Sequence, residues 1–408
     1  MSNIDCLLVA YAGVQPNIET LRKYSDKKLH HSKPVFNAAI AYLCTFLNRR
    51  HLSFDYVCSF EDEKDILFQK LQENVLVVGI STTFCHNIKS ICEMVQFVRK
   101  ANPKAKIIIG GSYSVTCLNQ FSHNQLNLLL RKIGADIYIN SYKGETELAL
   151  VVEAIKKNKQ LSDIPNILYK IDDDIFYNPK ADISCPLEEN TVDWSLFKDN
   201  ITNIVPVRTS ISCMYRCAYC SFHVKAGKYS NISVDAVERE LNSLKDSNCV
   251  KMVNFIDDSF NIPNERYKDI LCMMIRNKYP FKWHSYIRCQ NLDEETVSLM
   301  KSSGCQGVII GFESGSQIML DRMNKRLTLE DYRHGHALLK KYDIVSIGMF
   351  IIGFPGETSE TVQETIDFIN EINPTFYHAH AWICDTTTPI LETKRTIWIK
   401  IFSEWMET

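Results

Sequence analysis

The chain alternates short, almost wholly apolar runs with longer stretches whose apolar residues recur every three or four positions. In its first half, residues 4–10, 54–58, 75–80, 106–109 and 136–139 are such runs and read as buried strands. Residues 87–100 between them carry helical spacing, and a helix opening at Pro34 would place Ala38, Ile40, Ala41, Cys44 and Leu47 on one side. This alternation predicts an α/β fold with a doubly wound parallel sheet, whose ligands sit beyond the carboxyl ends of the strands. Residues 11–33 are polar and irregular, long for a strand–helix connection. Residues 164–179 read as a hairpin turning at Asp172, Asp173 and Asp174, and 179–192 as a linker. Strands then resume at 204–211, 250–256, 283–288, 307–314, 346–352 and 375–383. Ser233 caps a helix with Ala236, Val237, Leu241 and Leu244 as its inner stripe. In the last strand, alternation puts His378, His380 and Trp382 on one face and Tyr377 on the other.

At 408 residues the chain exceeds one ordinary domain, and the pattern divides it into 1–190 and 191–408. A net charge of −2 supplies no field for nucleic acid. No apolar run reaches membrane-spanning length, and no basic segment followed by an apolar one opens the chain, so neither membrane insertion nor export is expected. The chain has fifteen cysteines, and Cys6, Cys44, Cys58, Cys92 and Cys272 fall in apolar strands and helices as small hydrophobes. That usage suits a reducing cytoplasm.

Three cysteines break that rule. Cys213, Cys217 and Cys220 follow directly on the 204–211 run, close enough in sequence to converge on one metal centre. Soft thiolates in this arrangement point to an iron–sulfur cluster or zinc. A four-iron cluster normally takes four cysteines; the next one here is Cys249, so three ligands would leave one iron open. A Cys3His zinc site completed by His223 is the alternative.

The spacing, with Tyr219 before the last cysteine, resembles the radical S-adenosylmethionine (SAM) superfamily. The resemblance implies a 4Fe-4S cluster on Cys213, Cys217 and Cys220, whose open iron holds the amino and carboxylate groups of SAM and cleaves it to a 5′-deoxyadenosyl radical. Asp257-Asp258-Ser259-Phe260 is similar to the family's Asp-Asp-x-Phe beside the SAM amino group, where an ammonium needs acceptors. Taken alone, two carboxylates at a strand end also serve as a helix cap. Arg288 resembles the arginine that faces SAM, and Glu313 the carboxylate near its ribose; such a lone acid after an apolar run needs hydrogen-bond donors. Gly353 and Gly356, in Gly-Phe-Pro-Gly-Glu-Thr, would admit adenine and sugar. The family fold is a partial barrel of six parallel strands with its chemistry at their carboxyl ends, served by an electron donor such as flavodoxin or ferredoxin.

Three loops, Ser81-Thr82-Thr83, Gly110-Gly111-Ser112 and Lys143-Gly144-Glu145, occupy the carboxyl edge of the first sheet. Here the chain resembles the cobalamin-binding domain found before many radical SAM enzymes. The resemblance implies that Ser81, Thr82, Gly110, Gly111 and Gly144 line the cobalamin tail. A tight strand–helix turn at Gly110-Gly111 is the plainer reading. The Asp-x-His-x-x-Gly loop that gives cobalt a histidine is absent after the first strand, and His30 and His31 lie too far on, so the lower cobalt face is expected to be free of protein histidine. Residues 193–197 resemble the start of the catalytic domain in cobalamin-dependent members. Residues 382–390 resemble the branch of the P-methyltransferase of phosphinothricin biosynthesis. Relatives continue well past this patch, which predicts a shortened C-terminal extension. The implied activity is methyl transfer to an unactivated carbon or phosphorus centre of a metabolite or peptide. The alternatives are an oxidative cyclising relative that transfers no methyl group, and a non-catalytic cobalamin-binding regulator, which would have no use for the three cysteines.

Overall fold

A computed structural model describes residues 3–11, 35–85, 87–172, 174–245, 247, 249–383 and 387–390. His30, His31, Pro34, Asp173, residues 384–386 and the 391–408 tail lie outside the described residues. The chain divides into two compact units, Met1–Pro206 with Asn242–Val250, and Val207–Leu241 with Lys251–Thr408.

In the first unit, strands β1 (Asn3–Ala10), β2 (Phe54–Val57), β3 (Asn74–Ser81), β4 (Lys106–Gly110) and β5 (Ile137–Ile139) pair in parallel in the order β2-β1-β3-β4-β5. The expected hairpin forms as β6 (Ile167–Ile171) and β7 (Asp174–Tyr177) and extends the same sheet antiparallel from β5. Val9, Val78, Ile80, Ile107 and Ile109 bury one sheet face against Ile91, Met94 and Val98 of the helix Ile88–Ala101. That helix begins where Asn87 accepts the Ser90 N–H at 2.8 Å, a side-chain cap for an otherwise orphaned donor. The helix expected from Pro34 instead spans Ala38–Asn48, because Asn37 takes the capping position and accepts from Ile40 N. Residues 193–197 also pack in this unit. Trp194 and Phe197 are fully buried, with the Phe36 ring edge-on to them at 5.7 and 5.0 Å.

The run 204–211 is not one strand. β8 (Ile204–Val207) stops short, and β9 (Ser210–Ile211) turns away to pair antiparallel with β10 (Ser230–Asn231). The strands β11 (Met252–Phe255), β12 (Lys282–Ile287), β13 (Cys305–Glu313), β14 (Val345–Ile352) and β15 (Phe376–Ala381) are parallel neighbours. The six-stranded sheet has the order β15-β14-β13-β12-β11-β8, an open barrel wall with β15 and β8 at its edges. Phe255 and Trp283 pack on Phe260, and Phe312 on Tyr332 and Phe368, so these strand residues face the helices. Alternation then turns Asn254, His284 and Ile309 to the other face. His378 and His380 share a face as expected, their rings 6.0 Å apart, while Tyr377 packs edge-on to Phe350. Among the described residues no helix is long and apolar enough to cross a membrane.

Candidate active site

The cysteine loop begins at Ser212, whose left-handed backbone (φ 69°) turns the chain out of β9. Cys217 is buried, Cys213 and Cys220 are half-buried, and none is in a disulfide. The Cys220 N–H donates to Cys217 O at 3.1 Å and closes a tight turn between the two thiols. Donors surround the sulfurs. Phe222 N–H points at Cys220 Sγ (3.4 Å), Arg288 Nη1 at Cys217 Sγ (3.8 Å), and Ser259 Oγ lies 3.9 Å from Cys213 Sγ. Such donors favour the thiolate that iron binds. Burial pushes the Cys213 thiol up and the Cys220 thiol up to about 11, so metal binding must displace these protons. Among the described residues no three Cys, His, Asp or Glu side chains are gathered tightly enough for one bare metal ion. Zinc and a four-iron cluster would both need these thiols drawn together on binding. The donor set fits the cluster.

Arg288 is tied into this loop. Its guanidinium stacks 3.8 Å over the Tyr215 ring, donates from Nε to Gln290 at 2.9 Å, and donates from Nη2 to the Lys325 carbonyl. Glu313 ends β13 in a left-handed conformation (φ 66°) and is only 7% exposed. Its Oε1 accepts from Lys325 Nζ at 2.8 Å and from the Tyr219 hydroxyl at 2.7 Å. The donors that a buried carboxylate requires are thus supplied by the protein. Sequence reasoning missed Lys325, which stands among Arg322 and Arg326 and has no pattern distinguishing it from a solvated basic run. Gly353 (φ 83°) and Gly356 (φ 91°) both need glycine's conformational freedom. A side chain at Gly353 would meet open space, and Gly356 borders a cavity of about 550 Å³ lined also by Arg216, Ala218, Arg322 and Phe354.

The two aspartates have different positions. Asp257 is 2% exposed, and its oxygens accept from Thr209 N (2.9 Å), Thr209 Oγ1 (2.9 Å), Ser210 Oγ (2.8 Å) and Ser210 N. It therefore braces the start of the cysteine loop and explains the break after β8. Burial pushes its carboxyl up in spite of these donors. Asp258 is solvent-exposed on one side, and its charge acts on Cys213 and Cys220; enclosure by protein and then the Asp257 charge push it up to about 7. Replacing Asp257 by Ala should lower the stability of metal-free protein by about 3 kcal/mol, because buried donors lose their acceptor. Asp258→Ala should stay within about 0.5 kcal/mol. Urea unfolding of both variants is the check, and equal losses would remove this division of roles.

In the first unit, Ser81, Thr82, Gly110 and Gly111 come together. Thr82 donates from both N and Oγ1 to Gly110 O at 2.8 Å, and its Oγ1 accepts from Ser114 N at 3.0 Å, joining the β3 loop to the helix Ser112–Gln120. Ser81 Oγ lies 3.2 Å from Thr83 Oγ1. A side chain at Gly111 (φ 102°) would meet Thr82 N and Thr83 N at 2.8 Å. At Gly110 it would touch Ile139 at 3.6 Å, and at Gly144 it would press on the same Ile139 at 2.9 Å. The glycines at 110 and 144 thus flank one side chain of β5, while Gly111 serves a close crossing of two backbones.

Residues 207–369 match the Radical SAM superfamily, so the second unit carries a radical SAM domain. An uncharacterized methyltransferase of Pyrococcus horikoshii is 24% identical over 348 residues, covering 82% of this chain and 73% of that protein. The fold resembles the radical SAM methyltransferase TsrM from Kitasatospora setae, solved with cobalamin and a 4Fe-4S cluster bound: TM-score 0.74 at 18% identity, over 96% of this chain and 74% of that one. It also resembles the cobalamin-dependent SAM radical enzyme OxsB, with TM-score 0.67 at 18% identity, over 98% of this chain and 56% of that one. At these identities the likeness to the solved structures is one of fold. The architecture is a Rossmann-like unit joined to a radical SAM unit, as the strand pattern led one to expect.

Proposed function

We propose that the chain is a cobalamin-dependent radical SAM methyltransferase acting on an unactivated carbon or phosphorus centre of a small molecule or peptide. The observation that carries this reading is the cysteine loop: three free thiols, surrounded by sulfur-directed donors, beside a six-stranded wall. The rim of the first unit supports the cobalamin part, since residues 81–83 and 110–112 are only serine, threonine and glycine and place no bulky side chain at that edge of the sheet. Bound together, cluster, SAM and cobalamin supply one-electron chemistry and a transferable methyl group.

The chain's own residues would bind and orient these groups. Cys213, Cys217 and Cys220 hold iron, and the Arg288 guanidinium beside Cys217 offsets negative charge at the ligand sulfur. Asp258 presents the one free carboxylate of its pair to a SAM ammonium. Glu313, already satisfied at Oε1, offers its remaining oxygen toward the ribose, and Gly353 and Gly356 admit the nucleoside. Ser81, Thr82, Gly110, Gly111 and Gly144 would lie along the cobalamin tail, with 1–190 as the cobalamin-binding part and 191–408 as the radical SAM part. A flavodoxin- or ferredoxin-like donor in a cytoplasmic setting would supply electrons. Hydroxocobalamin added to the anaerobic, reconstituted protein should bind without protein-histidine ligation, because no Asp-x-His-x-x-Gly loop follows β1. Nitrogen superhyperfine coupling from a protein histidine in the reduced cobalt spectrum would refute the ligand-free face, and a protein that binds iron but no cobalamin would refute the methyltransferase reading.

A further inference from the structure

The segment between the helices Gln317–Arg322 and Leu329–Lys341 runs alongside the cysteine loop. Ala218 N donates to Met323 O at 2.8 Å, and Asn324 Nδ2 donates to Arg216 O at 2.7 Å. Next along the chain is Lys325, only 4% exposed. Its ammonium donates to Glu313 Oε1 at 2.8 Å and to the Tyr219 hydroxyl at 3.0 Å, while that hydroxyl donates to the same Glu313 oxygen at 2.7 Å. The triangle is closed.

Several local features exist to make room for it. Asn324 (φ 51°) and Arg326 (φ 55°) flank Lys325 in left-handed backbone, and Glu313 itself has φ 66°. Residues with side chains hold that conformation only where their surroundings over-determine it. A Cβ at Gly311 would collide with Glu313 Oε1 and lie 3.1 Å from Lys325 Nζ, so the pair occupies the space that this glycine leaves. The β13–β14 register shifts between Gly311 and Glu313, which turns the carboxylate onto that space.

A buried ion pair adds little net stability over an apolar replacement; what it supplies is a defined arrangement. The third member here is Tyr219, which lies between Cys217 and Cys220 and also packs against the apolar cluster of Met319, Met323, Phe354 and Ile390. We infer that Lys325 is a positioning residue for the cysteine loop: by holding Glu313 and Tyr219 together, it fixes the Cys217–Cys220 turn at the end of β13 before any metal arrives. The inference rests on the cysteines being cluster ligands.

The test uses metal-free full-length protein under anaerobic conditions. N-ethylmaleimide labelling of each cysteine is followed by peptide mass spectrometry, and iron content is measured after reconstitution. Tyr219→Phe keeps the packed ring and removes only the hydroxyl. The double variant Lys325→Met/Glu313→Gln removes both charges at similar volume and leaves no unpaired buried ion. In both, labelling of Cys217 and Cys220 should rise about tenfold over wild type, the change expected when one such hydrogen bond is lost. Cys305, buried at the far end of β13, should keep its wild-type rate, and iron uptake should fall by about half or more in the double variant. Wild-type rates in both variants would overturn the inference, as would a rise shared by Cys305, which reports general unfolding. A wild-type protein that takes up no iron would instead overturn the cluster reading, so the two failures are distinguishable.

Discussion

Replacing Cys213, Cys217 and Cys220 by alanine together should abolish the brown absorption of the reconstituted protein and reduce SAM cleavage to 5′-deoxyadenosine to background. The wild type should hold about four irons per chain, as a cluster with three cysteine ligands implies. The scaffold around it does not depend on the thiols, since Asp257 holds Thr209 and Ser210, and Asn324 and Met323 hold the backbone at Arg216 and Ala218. The triple variant should therefore unfold within about 1 kcal/mol of metal-free wild type, because the changes are small and two of the three positions are only half-buried. Iron content and thermal unfolding measured side by side separate loss of ligands from loss of fold. Iron that survives the triple change would end the cluster reading and everything built on it.

What the sequence disclosed and what it hid follow from the range of the interactions involved. The cysteine motif is local, so its spacing alone brings three thiols to one loop. The parallel strands are nearly as legible, because burial on both faces requires continuous apolar runs such as 75–80 and 106–109. The break at 207–210 was hidden because its cause, Asp257, lies 47 residues beyond Ser210. The same distance concealed the division of labour between Asp257 and Asp258, which differ only in what the fold places opposite them. Glu313 was recognised as an acid in need of donors, but the donors come from Lys325 and Tyr219, residues 12 and 94 positions away. The helix at Ala38–Asn48 shows the smaller kind of error, in which a proline start signal yields to a nearer asparagine cap.

The second large effect is expected at Gly111, where the physical reason for glycine differs from the one the sequence suggests. A glycine beside a ligand loop reads as space kept for the ligand, yet a Cβ at Gly111 would strike Thr82 N and Thr83 N at 2.8 Å, and the residue holds φ 102°. Gly111→Val should therefore cost roughly 3 kcal/mol from backbone strain and overpacking together. It should also separate the Thr82 hydroxyl from Ser114 N, since the two loops cross here and are joined by the hydrogen bonds of Thr82 to Gly110 O and of Ser112 Oγ to Thr83 O. Cobalamin affinity should fall by more than about tenfold as the rim spreads. Gly110→Ala is the control, because its Cβ would reach Ile139 only at 3.6 Å, an ordinary contact. That variant should unfold within about 1 kcal/mol of wild type and keep its cobalamin affinity. Urea unfolding and hydroxocobalamin titration of both variants decide the matter. Should Gly110→Ala lose cobalamin while remaining as stable as wild type, the ligand itself must lie against that backbone, and the Thr82–Thr83 crossing would be only one of two reasons for the glycine pair.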